Sequence, residues 1–313
     1  MNNSIVCRPF FIALLASLVL NSSVSAEEVR EKVSFPETDI FLLDLKLDSD
    51  SMEISNAKNV TARPGYDNQP YFTKNSESFV FSRDDGYQTD IYEYDIAKQK
   101  TERLSRSDNT EFSPTPFLDG SNLAFVTDRS NSIWYASRDE LDNPKWVFAE
   151  NPIHEPIGYF SWNHATGDIL YWSQYGFSLT LAHESKTDVH YVSGNAIPST
   201  PHIIPGTNRF SFVHRQANGD AWIKELDPIS KAIRPLTPIV GSNANYTWAP
   251  DRSIVMIEGH TLYRWQETGS AIWEKISDLT SQGILSASRV AISPNGKRMA
   301  IVGLPVESSA VNK

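Results

Sequence analysis

The chain has 313 residues, and its 28 Lys and Arg against 38 Asp and Glu give a formal net charge of −10. No run of basic residues occurs, and a surface that follows a phosphate backbone needs one, so we expect no nucleic-acid partner. A single Cys excludes a disulfide framework, so the stability must come from a hydrophobic core.

The first 26 residues have the pattern of a secretory signal peptide. Arg8 precedes an apolar run at 10–20, and Val24 and Ala26 stand at the small-residue positions of a cleavage site. The run is too short to span a bilayer, so we expect cleavage after Ala26 and no membrane span afterwards; a retained signal anchor is the alternative. Cys7 lies before the apolar run, which argues against a lipid anchor. Residues 27–38 then form an N-terminal lead.

Six short apolar, β-prone runs recur along the rest of the chain, and their starts are 41 to 46 residues apart. A polar turn precedes each run, as expected for buried strands. A strand-like segment lies ahead of each run and two more follow most of them, which makes four strands per unit. That is the period of a β-propeller blade. The runs are Phe79–Phe81, Leu123–Val126, Ile169–Trp172, Phe210–Val213, Ile254–Ile257 and Met299–Val302.

The sixth unit, from Leu285, supplies only two strands before the chain ends. The two missing strands match segments near the other terminus, DIFLLDL from Asp39 and MEISNAKNVT from Met52. We therefore predict an all-β fold: a six-bladed β-propeller of four-stranded antiparallel blades, its last blade closed by strands from both termini. Such closure removes an open sheet edge. The propeller is predicted as one domain over 39–304, with a disordered tail at 305–313.

Two segments resemble the PD40, or WD40-like, repeat of TolB-type propellers. They are Asn59–Asp95, with a Pro-aromatic pair, an apolar strand and an Asp-Ile-Tyr strand, and ISPNGKRMAIVG from Ile292. The middle blades keep the pattern loosely, as at Ser161–Asn163 and Ile204–Gly206. The resemblance implies the propeller fold, whereas function varies among propellers. The lead is too short for the N-terminal domain of TolB, so a role in the Tol system is not implied. No G-x-S-x-G motif of a hydrolase domain is present.

The loops that enter the innermost strands should surround one mouth of the central channel. Polar side chains from separate blades converge there, and such convergence marks a binding site by default. We predict that the ligand or partner binds at this channel mouth, with Phe112, Ser199, Thr200 and Ser288 beside the main set. The predicted site residues are Tyr66, Asp67, Asn68, Glu111, His154, Glu155, Asn245, Tyr246 and Arg289.

The sequence identifies no catalytic residue and no metal ligand set. None of the seven His forms an H-x-H pair or a helical His-Glu-His motif, and the acidic turns lack calcium-loop spacing. We expect no cofactor, although a divalent cation bound in the channel by residues of different blades stays open.

The predicted function is a non-catalytic module that binds a protein or peptide partner of the cell envelope through the channel-mouth loops. We expect a monomer in the bacterial periplasm or secreted from the cell. Two alternatives stay open. One is a metal-assisted hydrolase, lactonase or lyase with its site in the channel, and the other is a sensor of a small ligand or carbohydrate.

Overall fold

The computed structural model describes residues 35–128, 131–267 and 272–306. They form six separate four-stranded antiparallel sheets, arranged as the blades of a ring, which confirms the predicted all-β propeller. The predicted signal peptide, the first part of the lead and residues 307–313 lie outside the described residues. In the part of the chain that is described, no helix has the length and apolar character to cross a membrane.

The strands are numbered in chain order. The blades are numbered 1 to 6 in the order in which their innermost strands occur along the chain. The two N-terminal strands, β1 (Asp39–Leu47) and β2 (Met52–Asn59), belong to blade 6. Blade 1 contains β3 (Asp67–Phe72), β4 (Ser78–Asp84), β5 (Thr89–Asp95) and β6 (Lys100–Arg103). Blade 2 contains β7 (Glu111–Pro116), β8 (Asn122–Thr127), β9 (Ser132–Ser137) and β10 (Lys145–Trp146). Blade 3 contains β11 (Ile157–Asn163), β12 (Asp168–Ser173), β13 (Ser178–His183) and β14 (Lys186–Ser193).

The remaining blades follow the same order from the channel outward. Blade 4 contains β15 (His202–Ile203), β16 (Phe210–Arg215), β17 (Ala221–Leu226) and β18 (Ile233–Pro238). Blade 5 contains β19 (Tyr246–Trp248), β20 (Ile254–Glu258), β21 (Thr261–Trp265) and β22 (Glu274–Asp278). Blade 6 is completed by β23 (Ile284–Ile292) and β24 (Arg298–Pro305). Two short 3₁₀ turns, at Tyr175–Phe177 and Leu279–Gln282, are the only helical segments among the described residues.

Blade 6 joins the two ends of the chain. The order of its strands is β2-β1-β24-β23, so the N-terminal β1 pairs with the C-terminal β24. The pairing is antiparallel and without a bulge from Asp39 opposite Gly303 to Asp44 opposite Arg298. This confirms the predicted closure from both termini. Because β1 fills the gap beside β24, neither strand of the pair is left as an open edge.

The core consists of six clusters of buried apolar side chains, and each cluster lies between two neighbouring blades. The second strand of a blade supplies both of its interfaces. On β4, Phe79 and Phe81 pack against blade 6, whereas Val80 packs against blade 2. Side chains of a strand point alternately to opposite faces, and both faces of this strand are covered. The runs are therefore apolar at consecutive positions rather than at alternate ones.

We expect the closing strand β1 to contribute to the free energy of unfolding as much as the other core strands do. Leu43 on β1 is completely buried in the cluster between blades 5 and 6. We expect Leu43→Ala to lower the free energy of unfolding by about 2–5 kcal/mol, because it leaves a cavity in a packed core. Urea denaturation followed by tryptophan fluorescence measures the change.

The control for this substitution is Leu118→Ala, at a side chain that is 56% exposed, where we expect a loss below about 0.5 kcal/mol. Equal stability of Leu43→Ala and the wild type would contradict the closure, since it would mean that β1 separates before the ring unfolds.

Candidate functional site

Two rings of side chains line the central channel. In each blade, one inner-strand residue pairs with the first residue of the apolar run, as Phe72 pairs with Phe79 in blade 1. In blade 1, Gln69 lies three positions before Phe72 and belongs to the first ring, and Tyr71 lies one position before Phe72 and belongs to the second. The other blades follow the same spacing, and the residue between the two ring positions is buried in every blade. The first ring, named the Arg289 ring, consists of Gln69, Ser113, Tyr159, Thr200, Asn245 and Arg289. The second, the His202 ring, consists of Tyr71, Thr115, Ser161, His202, Thr247 and Ala291.

Two members of the Arg289 ring have left-handed backbone. Gln69 has a φ of 59° and Ser113 a φ of 55°, and the pairing of their strands shifts register at these points. Such a conformation is unfavourable for residues other than Gly, so it needs compensating contacts. The Gln69 amide oxygen provides one, because it accepts hydrogen bonds from the Ser113 backbone NH at 2.8 Å and from the Ser82 hydroxyl at 3.0 Å. The two bulges are thus linked across the boundary between blades 1 and 2.

The bulge of blade 1 directs Asp67 away from the channel. Asp67 is fully buried, and its carboxylate accepts from Arg83 Nε at 2.5 Å and from Arg63 Nη1 at 3.2 Å. Its neighbour Asn68 is also buried, and the Asn68 amide oxygen accepts the backbone NH of Gln69 at 2.8 Å. Both predicted site residues therefore hold the blade together around the inner strand.

Glu111 has the equivalent place in blade 2, where it is 1% exposed. Its carboxylate accepts hydrogen bonds from the hydroxyls of Ser105 and Ser107, and no cation pairs with it among the described residues. Burial raises the pKa of the Glu111 carboxyl to about 7, and the two hydroxyls oppose the shift. Glu111 therefore titrates near neutral pH without facing the channel.

A cavity of about 360 Å³ lies where the inner strands begin, at the predicted mouth. We name it the mouth cavity, and blades 1 to 4 line it. Its wall includes the aromatic side chains Tyr66, Phe112, Tyr159 and Trp172. Phe35, from the lead, packs against this wall, with its ring centroid 5.3 Å from that of Tyr66 and 5.9 Å from that of Phe112. An aromatic side chain of the lead thus covers two of the aromatic residues of the mouth.

Two predicted residues lie away from the channel. His154 is exposed, and its ring centroid lies 5.8 Å from that of Trp146 on the outermost strand of blade 2. Glu155 is half-buried, and its Oε2 has no hydrogen-bond partner among the described residues. Burial, with the Glu155 carboxylate nearby, raises the pKa of the core residue Tyr171. Neither side chain lines a channel cavity.

Blades 4 to 6 place their predicted residues at the channel. Thr200, Asn245 and Arg289 belong to the Arg289 ring, and Asn245 is fixed by two hydrogen bonds of 3.0 Å to the Asn243 side-chain oxygen. Tyr246 is buried next to them, and its hydroxyl donates to Ser211 Oγ at 2.7 Å. Of the remaining flanking residues, Ser199 is buried and Ser288 is half-buried.

Arg289 crosses the channel to the opposite blade. It lies in blade 6, and its Nη2 donates at 3.0 Å to the hydroxyl of Tyr159 in blade 3, directly across a ring of six. The guanidinium carbon also lies 5.3 Å from the centroid of the Tyr159 ring. The pairing of β23 with β24 shifts register between Ala287 and Arg289, and this bulge positions the arginine. Ala287 pairs with Gly303, where a Cβ would stand 2.3 Å from the Ser286 carbonyl oxygen. The lack of a side chain at Gly303 therefore allows this bulge to pack.

A second cavity, of about 460 Å³, lies at the other end of the inner strands. We name it the large cavity, and residues of all six blades line it. Sequence reasoning missed most of this surface, including Gln69 and Ser113 of the first ring and all of the His202 ring, and it also missed Tyr159 at the mouth cavity. Once the inner-strand residue that pairs with the start of each apolar run is known, the positions one and three residues before it are the ones that face the channel, because strand side chains alternate.

No group of three or more His, Cys, Asp or Glu side chains is arranged to hold a metal ion in the described ranges. The buried acids Asp67 and Glu111 are engaged inside their own blades, whereas the exposed Asp128 lines the mouth cavity. Arg289 and Asp128 are therefore the charged residues among those that line the two cavities, beside hydroxyls, amides and aromatic rings.

Comparison with solved structures identifies the fold. A protein assigned as TolB from Agrobacterium tumefaciens superposes with a TM-score of 0.65 at 12% identity, over 87% of this chain and 100% of that one. The chain has the TolB-like six-bladed propeller fold. TolB from Acinetobacter baumannii gives a TM-score of 0.52 at 12% identity, over 86% of this chain and 64% of that one.

The TolB-like propeller is shared by proteins of other function. An oligogalacturonate lyase in complex with manganese gives a TM-score of 0.54 at 11% identity, over 82% of this chain and 83% of that one. No family model and no curated protein sequence matches the chain. Identities this low show a common fold and leave the activity to be argued from the site.

The buried Glu111 should make stability depend on pH. Its pKa is raised from 4.5 to about 7, so its contribution is complete below about pH 4.5 and is lost as the pH rises through about 7. In Glu111→Gln the side chain is neutral at every pH. We expect the stability of the wild type relative to the variant to fall by about 3 kcal/mol between pH 4.5 and pH 8.

Urea denaturation of both proteins across this pH range measures the difference. A constant difference would contradict the prediction, because it would show that the Glu111 carboxyl has the same pKa in the folded and unfolded states.

Proposed function

We propose that the protein is a non-catalytic binding module of the cell envelope, whose channel mouth receives an extended segment of a protein or peptide partner. The observation that carries the proposal is the aromatic wall of the mouth cavity, where Phe35 packs against Tyr66 and Phe112. Aromatic side chains around a concave site are typical of the energetic centre of a binding surface.

The surroundings of the mouth support binding rather than catalysis. The acids Asp67 and Glu111 are buried in hydrogen-bonded positions, so they are not free to act on a substrate in the channel. The mouth cavity instead combines its aromatic wall with polar side chains, among them Gln69, Asn131 and Gln174, and Asp128 is the single acid in its lining. An extended segment of the partner could insert an aromatic side chain here, while these polar groups form hydrogen bonds with the backbone of that segment.

The proposed location is supported by a pattern in the sequence. The signal-peptide pattern of residues 1–26 favours the periplasm of a bacterium or secretion, and the partner is then another envelope protein. We propose that the protein acts there as a monomer.

Cross-linking in intact cells, followed by purification of the tagged protein and mass spectrometry, tests the proposal. We expect one stoichiometric partner with the wild type. Phe112→Asp places a charge on the aromatic wall, and we expect it to reduce recovery of the partner roughly tenfold or more.

The matched control is Tyr191→Asp, because Tyr191 is an aromatic residue that is 64% exposed on the outermost strand of blade 3. It should leave recovery unchanged, and the melting temperature of both variants verifies their folding. Equal recovery with Phe112→Asp, or no partner with the wild type, would overturn the proposal.

Metal removal separates this function from its enzymatic alternative. We propose that no divalent cation resides in the channel, so dialysis against EDTA should leave the melting temperature unchanged. A ligand or metal that binds the native state raises its stability by mass action, and removal of a resident ion would lower it. A drop on chelation that manganese reverses would instead favour a metal-assisted lyase or hydrolase.

A further inference from the structure

The large cavity lies at the opposite end of the channel from the mouth and is a second candidate binding site. All six blades contribute to its wall, and the contact between Arg289 and Tyr159 crosses the channel between it and the mouth cavity. Its volume of about 460 Å³ is within the range of roughly 300–1,000 Å³ that is typical of small-molecule sites. The proposed partner site at the mouth does not use this space.

One charge dominates the cavity. Among the residues that line it, Arg289 is the only Lys, Arg, Asp or Glu. Burial lowers the pKa of His202 to about 4, and burial likewise lowers the pKa of His164 to about 4, so both rings are neutral at pH 7. The cavity therefore presents a single positive charge in a neutral wall.

Among the described residues, no anionic side chain pairs with the guanidinium of Arg289. Its described hydrogen bonds use one of five N–H donors, on the Tyr159 hydroxyl, and no carboxylate lies within 4.0 Å of it among the described residues. Other sheltered arginines are paired: Arg83 binds Asp67, and Arg264, which is 1% exposed, binds Asp251 at 2.5 Å. A half-buried guanidinium with free donors is suited to bind a carboxylate through two parallel hydrogen bonds.

The rest of the wall favours an apolar ligand. The cavity lining includes several prolines and aromatic residues, among them Pro114, Pro201, Phe160, Trp162 and Trp248. The ring positions that face the axis add neutral polar groups, such as Thr115, Ser161 and Thr200. A ligand with one charge satisfies Arg289, whereas a second charge would lie against neutral, largely apolar wall and lose its hydration.

We propose that the large cavity binds a small monocarboxylic acid with an apolar or aromatic body, and that its carboxylate pairs with Arg289. The carboxylate belongs either to a free organic acid or to the carboxyl terminus of a short peptide. Both present the same chemistry to the guanidinium, and the experiment distinguishes them.

The test compares acids with their uncharged amides. Benzoate, 3-phenylpropionate and 2-naphthoate, each beside its primary amide, are titrated by calorimetry and by intrinsic tryptophan fluorescence. We expect at least one acid to bind roughly 10- to 100-fold more tightly than its amide. Arg289→Gln should abolish this preference, while Arg215→Gln, at an exposed arginine, should leave it unchanged.

Two further variants make the test specific. Tyr159→Phe keeps the guanidinium and removes only its hydroxyl partner, so this variant should retain the preference for the acid. Retention would show that a substitution in the channel does not abolish the preference unless it removes the guanidinium. Phe112→Asp at the mouth should leave acid binding intact, which separates this site from the proposed partner site.

A third pair of probes identifies the source of the carboxylate. N-acetyl-Gly-Phe with a free carboxyl terminus is compared with its amidated form. Tighter binding of the free-terminus peptide than of any simple acid indicates a peptide terminus, and the reverse order indicates a free organic acid. Equal binding of acids and amides, no binding of any acid, or an unchanged preference in Arg289→Gln would overturn the proposal.

Discussion

The structure depends on one constraint: the second strand of every blade must be covered on both of its faces. Phe79 and Phe81 need blade 6, while Val80 on the same strand needs blade 2. No blade can bury its own apolar surface, so each is stable only between two neighbours. A ring meets this requirement for every blade at once, and the pairing of β1 with β24 completes it. The hydrophobic effect thereby determines the closure of the ring as well as its core.

The same packing creates the channel surface. Inner-strand residues between the two rings, such as Pro201 and Val290, are buried between blades, so their neighbours on either side face the axis. Six strands held this way bring Arg289 and Tyr159 together from opposite blades. The bulges at Gln69 and Ser113 have left-handed backbone, and one hydrogen bond, from the Ser113 NH to the Gln69 side chain, joins them across the blade boundary. The packing of the core thus positions the strands that form the channel wall.

The fold could be predicted from the sequence because each blade repeats the same local pattern, down to the incomplete sixth unit that β1 and β2 complete. The site could be predicted only partly. Thr200, Asn245 and Arg289 reach the channel as expected. Asp67 and Glu111 precede the first ring by two positions, so simple alternation would direct them to the axis as well. The left-handed Gln69 and Ser113 reverse that alternation and turn both acids into their blades. A Gln or Ser before Pro gives no recognisable signal for such a bulge.

The contact between Arg289 and Tyr159 connects the two ends of the channel physically. Tyr159 belongs to the wall of the mouth cavity, whereas Arg289 belongs to the wall of the large cavity. Under the two proposals, a carboxylate binds donors of the Arg289 guanidinium that the Tyr159 hydroxyl leaves free, and a segment in the mouth packs against the Tyr159 ring. Ligands that bias one shared contact must change each other's affinity by the same factor. The channel can therefore couple occupancy of its two ends through this single pair, without movement of the blades.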